Sequence, residues 1–178
     1  MIYRLRVILD TTQDCLRDIE IDGNSSLEEF HNVIVQSFQL PGDEMASFYA
    51  SDKDWNQGQE YCLFNMGGGS APSPTMADTI VEKVLGKKEA KMIYIYDFLS
   101  MWTFMVELAD VVPNQAGTAY PQVIFSMGEL PDSAPDKEFE ADPRFHEDED
   151  DEDPYHDDPD DGEDQFYDEG SFDEYDLY

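Results

Sequence analysis

Residues 92–111 read MIYIYDFLSMWTFMVELADV, and two readings of them lead to different proteins. Extended by one residue, Met92–Val112 is the one apolar stretch of membrane length in the chain. It holds Asp97, Glu107 and Asp110, and a charge at a bilayer centre costs about 2.5–3.5 kcal/mol on insertion scales. Three such charges exclude a spanning helix, so no membrane partner is expected. The alternative is a strand pair. Trp102, Phe104, Val106 and Leu108 fall on one side of a period-two pattern, opposite Thr103, Met105 and Glu107. Met92–Phe98 and Met101–Val111 are therefore predicted as neighbouring strands. Leu99-Ser100 is the expected two-residue turn, although it lacks the Asn-Gly chemistry that such turns prefer.

The same alternation opens the chain. In residues 2–10, IYRLRVILD, Tyr3, Leu5, Val7 and Leu9 share a face opposite Arg4, Arg6 and Asp10. This is a half-buried strand and not the basic start and apolar run of a signal peptide. In residues 16–22, LRDIEID, Ile19 and Ile21 oppose Asp18, Glu20 and Asp22, with Thr11–Asp14 as a hairpin loop. Leu27, Phe30, Ile34 and Phe38 then repeat at helical spacing up to Pro41-Gly42. Ser25 and Ser26 each have a glutamate three residues on, so a capping box is available in two registers.

Strands are expected at Met45–Ser51 and Tyr61–Phe64, on either side of a polar loop, Asp52–Gln59, that surrounds Trp55. Asn65–Pro74, NMGGGSAPSP, reads as an exposed loop. No Gly-Lys-Ser/Thr follows its glycines, so a phosphate cradle is unsupported there. Thr79 with Glu82 offers a second capping box, for a short helix Ile80–Leu85 with Gly86 as a left-handed stop. Val123, Phe125 and Met127 mark a last strand. The predicted order is β-β-α-β-β-α-β-β-β. It describes an α+β domain over residues 1–131, with a mixed sheet packed on one main helix in a β-grasp-like layout.

Beyond that domain the composition changes. Residues 132–178 carry 23 Asp and Glu against Lys137 and Arg144, a net charge of −21 out of −32 for the whole chain. Leu177 is their only Leu, Ile, Val or Met, so this tail is predicted to be disordered. It keeps eight aromatic residues, among them Phe166, Tyr167, Phe172 and Tyr175. Acidic runs dotted with aromatics suit the capture of basic proteins, with charge steering the encounter and rings anchoring it. Direct nucleic-acid binding is disfavoured, because it needs Lys and Arg to neutralise phosphates. An EF-hand starting at Asp157 fails, since Pro159 stands at position three and Asp168 at position twelve. His146 and His156 are isolated, and Cys15 and Cys62 form no metal pattern. No cofactor, metal or catalytic set is expected. A reduced thiol pair places the chain in the cytoplasm.

Several short motifs then fall in a familiar order. Glu44–Asp52, EMASFYASD, is followed by Trp55, Gly58 and Glu60. Tyr94-Ile95-Tyr96-Asp97-Phe98 is followed by Trp102, Phe104 and Glu107-Leu108. With the leading Tyr3–Val7 strand and the Leu27–Phe38 helix, residues 1–131 resemble the plasmid pRiA4b ORF-3-like family. That resemblance implies a compact α+β domain in a family widespread in bacteria and archaea. It implies no established catalytic activity, and the insertion-element passenger label of some members describes gene context. Two positions depart from the family pattern. Leu99-Ser100 stands where Gly-Asp is common, and Leu16-Arg17-Asp18 where Trp-Arg-Arg is common.

Candidate functional residues can be named within the domain. Asp97, between Tyr96 and Phe98, would act as a base if burial raised its pKa, or brace the strand end by accepting backbone N–H bonds. Asp52 and Glu60 surround Trp55 in a way that would form an exposed site with an aromatic floor, and Trp102 lies beyond Asp97 in the strand pair. His31 is the domain's one histidine and has no linked nucleophile. The favoured reading is a non-enzymatic binding protein whose acidic tail engages basic protein partners. The alternatives are a mobile-element accessory protein or nucleic-acid mimic, and a small-molecule enzyme using Asp97.

Overall fold

Phe48, Tyr94 and Phe104 lie side by side across three paired strands, and the helix from Leu27 to Phe38 rests on them. A computed structural model describes residues 1–65, 73–87 and 89–136, all within one compact unit, Met1–Lys137. The elements run β1 (Ile2–Leu9), β2 (Leu16–Asp22), α1 (Leu27–Phe38), β3 (Ala46–Ser51) and β4 (Gln57–Cys62). They continue with α2 (Val81–Leu85), β5 (Lys91–Tyr96), β6 (Trp102–Val112) and β7 (Gln122–Met127). The strands form one seven-stranded sheet in the order β4-β3-β5-β6-β1-β2-β7. With α1 on one face, this is an α+β architecture.

The mixed sheet expected from the sequence is not what forms. All six pairings among the described strands are antiparallel, so the parallel pair that a β-grasp-like layout implies is missing from this sheet. The physical reason is the β5–β6 hairpin, which inserts between β1 and β3. β1 therefore meets β6, the returning arm of a hairpin, and strand directions alternate throughout.

Residue alternation decides which face α1 covers. Tyr3, Leu5, Val7 and Leu9 of β1 join Ile19 and Ile21 of β2 in the core. Met92, Tyr94 and Tyr96 of β5 and Trp102, Phe104 and Val106 of β6 join the same cluster. Helix α1 adds Leu27, Phe30, His31, Ile34 and Phe38, all buried, each apolar member contributing about 1.5–3 kcal/mol by leaving water. Ser26, not Ser25, caps the helix. The Glu29 N–H donates to Ser26 Oγ at 3.1 Å and the Ser26 N–H to Glu29 Oε2 at 2.9 Å.

The opposite face is charged in rows. Arg6 binds the Asp18 carboxylate with both Nε (2.7 Å) and Nη2 (2.8 Å). Arg4 Nε donates to Glu20 at 2.7 Å and Gln122 Nε2 to the same carboxylate at 2.8 Å. These hydrogen bonds, Arg4 first, hold the Glu20 pKa below the ordinary range although the side chain is buried. On the helix-covered face, in phase with Ile19 and Ile21, buried Arg17 donates to the carbonyls of Leu16, Ser37, Met127 and Gly128 and covers the Phe38 ring at 4.6 Å. It ties β2 to the end of α1 and to β7.

Local expectations are corrected in four places. β4 occupies Gln57–Cys62 instead of Tyr61–Phe64, because an edge strand needs no apolar alternation when its residues are exposed. The Thr79 hydroxyl donates to the Thr75 carbonyl, and α2 starts at Val81 with Ile80 as an N-cap that makes no side-chain hydrogen bond. Gly86 is right-handed (φ −73°), and its need for glycine is steric, since a Cβ would strike the Glu82 carbonyl. The β5–β6 connection is longer than Leu99-Ser100. Asp97 (φ 57°) and Met101 (φ 58°) are both left-handed, and the Met101 N–H closes on the Asp97 carbonyl at 2.6 Å.

The aromatic row sets a mutational expectation. Phe48→Ala removes a fully buried ring and is expected to cost about 3–5 kcal/mol in urea unfolding. Phe98→Ala, at a ring 42 % exposed, is expected to stay within about 0.5 kcal/mol of the parent. Equal losses at the two positions would contradict this core assignment.

Candidate functional site

The residues singled out from the sequence are divided between the two ends of β5. Asp97 stands just beyond Tyr96, at the end where Tyr96 pairs with Trp102. Trp55 lies at the other end, where Lys91 Nζ sits 4.2 Å over its ring. Six residues of extended chain separate Lys91 from Asp97, about 20 Å at 3.3 Å per residue. The five candidate residues therefore do not converge on one site.

Each carboxylate among them is engaged by its own surroundings. The Asp97 N–H donates to the Met45 carbonyl at 2.9 Å, and Asp97 Oδ1 accepts the Leu99 N–H at 3.0 Å. Hydrogen bonding from Ser100, ahead of the Leu99 N–H, holds the Asp97 pKa below its ordinary value. The raised pKa of a buried base is thus not found, and Asp97 braces the turn instead. Asp52 Oδ1 accepts the N–H groups of Asp54 (2.9 Å) and Asn56 (3.0 Å), and Oδ2 accepts Asn56 Nδ2 (2.8 Å). These bonds, led by those from Asn56, lower its pKa. Glu60 Oε1 accepts the hydroxyls of Ser47 at 2.8 Å and Tyr49 at 3.1 Å, a clamp from β4 onto β3. Trp102 is buried in the core, and Trp55 is half-buried.

His31 is buried on α1 with Nδ1 2.7 Å from Tyr94 OH, inside the aromatic row. Desolvation lowers its pKa to about 4, so the imidazole is neutral at physiological pH and shares one proton with the phenol. The same burial raises the Tyr94 pKa well above its ordinary value. The pair satisfies two polar groups under the helix. Cys15 is buried and Cys62 half-buried, both free, and burial pushes the Cys15 thiol up, away from reactivity.

A cationic cluster is visible in the sequence only in part, as the basic turn Lys87–Lys91. Lys53 from the β3–β4 loop, Lys83 from α2, Lys87 after it and Lys91 at the start of β5 line one groove of about 420 Å³. Tyr61 and Val84 supply apolar wall. Lys91 is held in place by Glu107 (3.4 Å), by the Lys53 carbonyl (3.4 Å) and by the Trp55 ring. Lys53 is within 3.9 Å of Asp54. Among the described residues Lys83 and Lys87 have no ion-pair partner. Lys83 lies on α2 and Lys87 just past its Gly86 cap, so their nearness is local in sequence, but Lys53 is joined to them only by the fold.

Among the described residues no three His, Cys, Asp or Glu side chains are grouped to hold a metal ion, and no helix is long and apolar enough to cross a membrane. Phe166, Tyr167, Phe172 and Tyr175, with the rest of the acidic run beyond Asp136, lie outside the described residues.

Comparison with known proteins places the fold in company. The family model described as "Plasmid pRiA4b ORF-3-like protein" matches residues 1–175, so the match runs past residue 131, where the motif resemblance ends. A crystal structure titled as a protein of unknown function, MM3350 from Methanosarcina mazei Go1, is similar in fold. The TM-score is 0.60 at 19 % identity, covering 70 % of this chain and 68 % of that one. No curated protein matches.

Two outcomes follow from the geometry of these residues. Between the unfolded histidine pKa of about 6.5 and the folded value of about 4, the unfolded chain binds the extra proton. His31 thus contributes stability above pH 6.5 that is lost on acidification to pH 4, on the order of 3 kcal/mol over the window. Urea unfolding of His31→Gln against the parent at pH 7 and pH 4 should show the parent losing more; parallel losses would exclude a buried neutral His31. At the turn, Asp97→Asn keeps both the left-handed preference and the side-chain acceptor, and is expected to unfold close to the parent. Asp97→Ala loses both and is expected to cost about 1–2 kcal/mol.

Proposed function

The chain belongs to the plasmid pRiA4b ORF-3-like family, and from that premise we propose that it is a non-enzymatic binding protein whose acidic C-terminal run engages basic protein partners. The observation that carries this reading is the charge distribution. Of 42 acidic residues, 23 fall in the last 47 positions with two basic residues among them. Such a block gives fast, salt-sensitive association with basic surfaces and repels nucleic acid.

The domain supports the reading by what its polar groups do. A general base or nucleophile needs a second group within hydrogen-bond reach of a common reacting atom. Asp97 and Asp52 instead hold loops, Glu60 clamps two strands, and His31 is under the helix. The domain then acts as a rigid carrier. The aromatic residues of the run, including Phe166 and Tyr167, are the proposed anchors once charge has brought a partner close. Two free cysteines fit a reducing compartment, and the cytoplasm is part of the proposal.

The test keeps the whole chain and changes charge alone. Glu147–Asp153, seven consecutive acids, are replaced by Gln and Asn. A lysine- and arginine-rich polypeptide is then titrated into parent and variant at low and high salt. The parent is expected to bind more tightly by about tenfold or more at low salt, with the difference shrinking as salt rises. Equal affinities, or affinities indifferent to salt, would remove the acidic run from the function.

A further inference from the structure

The geometry points to a binding site for a polyphosphate chain, two or more linked phosphates, in the groove lined by Lys53, Lys83, Lys87 and Lys91. The argument begins with how this chain distributes its few cations. Residues 1–131 contain eight basic side chains, three arginines and five lysines. All three arginines are consumed by the fold. Arg4 and Arg6 are bound to Glu20 and Asp18, and Arg17 to four backbone carbonyls. The four lysines of the groove come from three separate parts of the chain. Two of them, Lys83 and Lys87, have no ion-pair partner among the described residues.

A structural role accounts for some of this charge but not for the rest. Lys91 is anchored by Glu107 and Trp55 and aligns the β3–β4 loop with β5. Lys83 lies in the last turn of α2, where a cation complements the helix dipole, but a five-residue helix has little dipole to complement. Lys87 is exposed and in no ion pair among the described residues. Asp52 and Glu89 also line the groove, and Asp52 is turned to its own loop N–H groups. The volume of about 420 Å³ lies in the range of small-ligand sites, roughly 300–1,000 Å³.

The class of anion follows from competition. The same chain supplies 23 carboxylates from Asp132 onward at high effective concentration. A groove that selects a separate ligand must reward something a carboxylate does not offer. Linked phosphates offer denser charge and several acceptor oxygens within a few ångströms, which several ammonium groups lining one groove can share. The net charge of −32 repels any anion at long range. Beyond roughly 8 Å at physiological ionic strength that repulsion is screened, and the local lysines decide.

Isothermal titration of the full-length protein at physiological ionic strength tests the site. The probes are inorganic tripolyphosphate, adenosine 5′-triphosphate and citrate. Tripolyphosphate is expected to bind one site, with citrate weaker by about tenfold or more. A further gain with the nucleotide would identify it over the inorganic chain as the preferred source. Lys83→Glu/Lys87→Glu, at exposed positions, should weaken tripolyphosphate by about tenfold or more while leaving the thermal melt unchanged. Lys137→Glu/Arg144→Glu alters net charge equally and should leave the affinity unchanged. Absent binding, citrate as strong as tripolyphosphate, or equal loss in both double variants would each overturn the proposal.

Discussion

The structure depends on one continuous aromatic contact. Phe30 stacks on Phe48 at 5.4 Å, Phe48 meets Tyr94 at 4.7 Å, Tyr94 meets Phe104 at 5.7 Å and Phe104 meets Phe38 at 4.8 Å. The three middle rings are direct cross-strand neighbours on β3, β5 and β6. The outer two are eight residues apart on α1. The row therefore fixes strand register and helix position at once, since a one-residue slip would turn each ring to the charged face. His31 lies inside the same row and finds Tyr94 OH there. A polar pair is tolerated under the helix because its atoms satisfy each other; among the described residues no buried side-chain nitrogen or oxygen lacks a partner.

Electrostatics divides by residue type. The arginines work within the fold, where a planar fork can hold a carboxylate by two bonds or several carbonyls at once. Arg6 on Asp18 shows the first use and Arg17 the second. The buried Arg17 guanidinium joins β2, β7 and the end of α1, so this position is structural in this chain. Four lysines, flexible point charges, gather on the groove by α2. This division makes the groove a distinct electrostatic feature in an acidic molecule.

Much of the fold is legible in the sequence because it rests on periodicity. The face shared by Trp102, Phe104 and Val106, and the Leu27–Phe30–Ile34–Phe38 stripe, need only the geometry of a strand and a helix. Pairing direction was not legible, because alternation says which side a residue faces and nothing about its neighbour's direction. Edge strands escaped for a related reason. Gln57-Gly58-Gln59 has no apolar face to show, and its pairing with β3 is carried by backbone. The candidate site was least legible. Asp97, Asp52 and Glu60 attract attention as carboxylates near aromatics, yet local hydrogen bonds decide their roles. Lys53 and Lys83 attract none, being thirty positions apart, yet the fold lines one groove with both.

These assignments bear on what kind of activity the domain can support. Catalysis by carboxylates requires that a charge be kept reactive, through burial that raises a pKa or a like-charged neighbour. Asp97, Asp52 and Glu20 are shifted the other way, each lowered chiefly by hydrogen bonds to its ionised form. Such carboxylates are stabilised as anions and poor at accepting a proton. The Cys15 thiol is no better placed, since burial raises its pKa. Among the described residues, two exposed lysines of the groove, Lys83 and Lys87, have no ion-pair partner, and the sequence adds a long acidic run. Fixed charge recognises ligands and steers partners without reacting with them, and the proposed binding role rests on that physical ground.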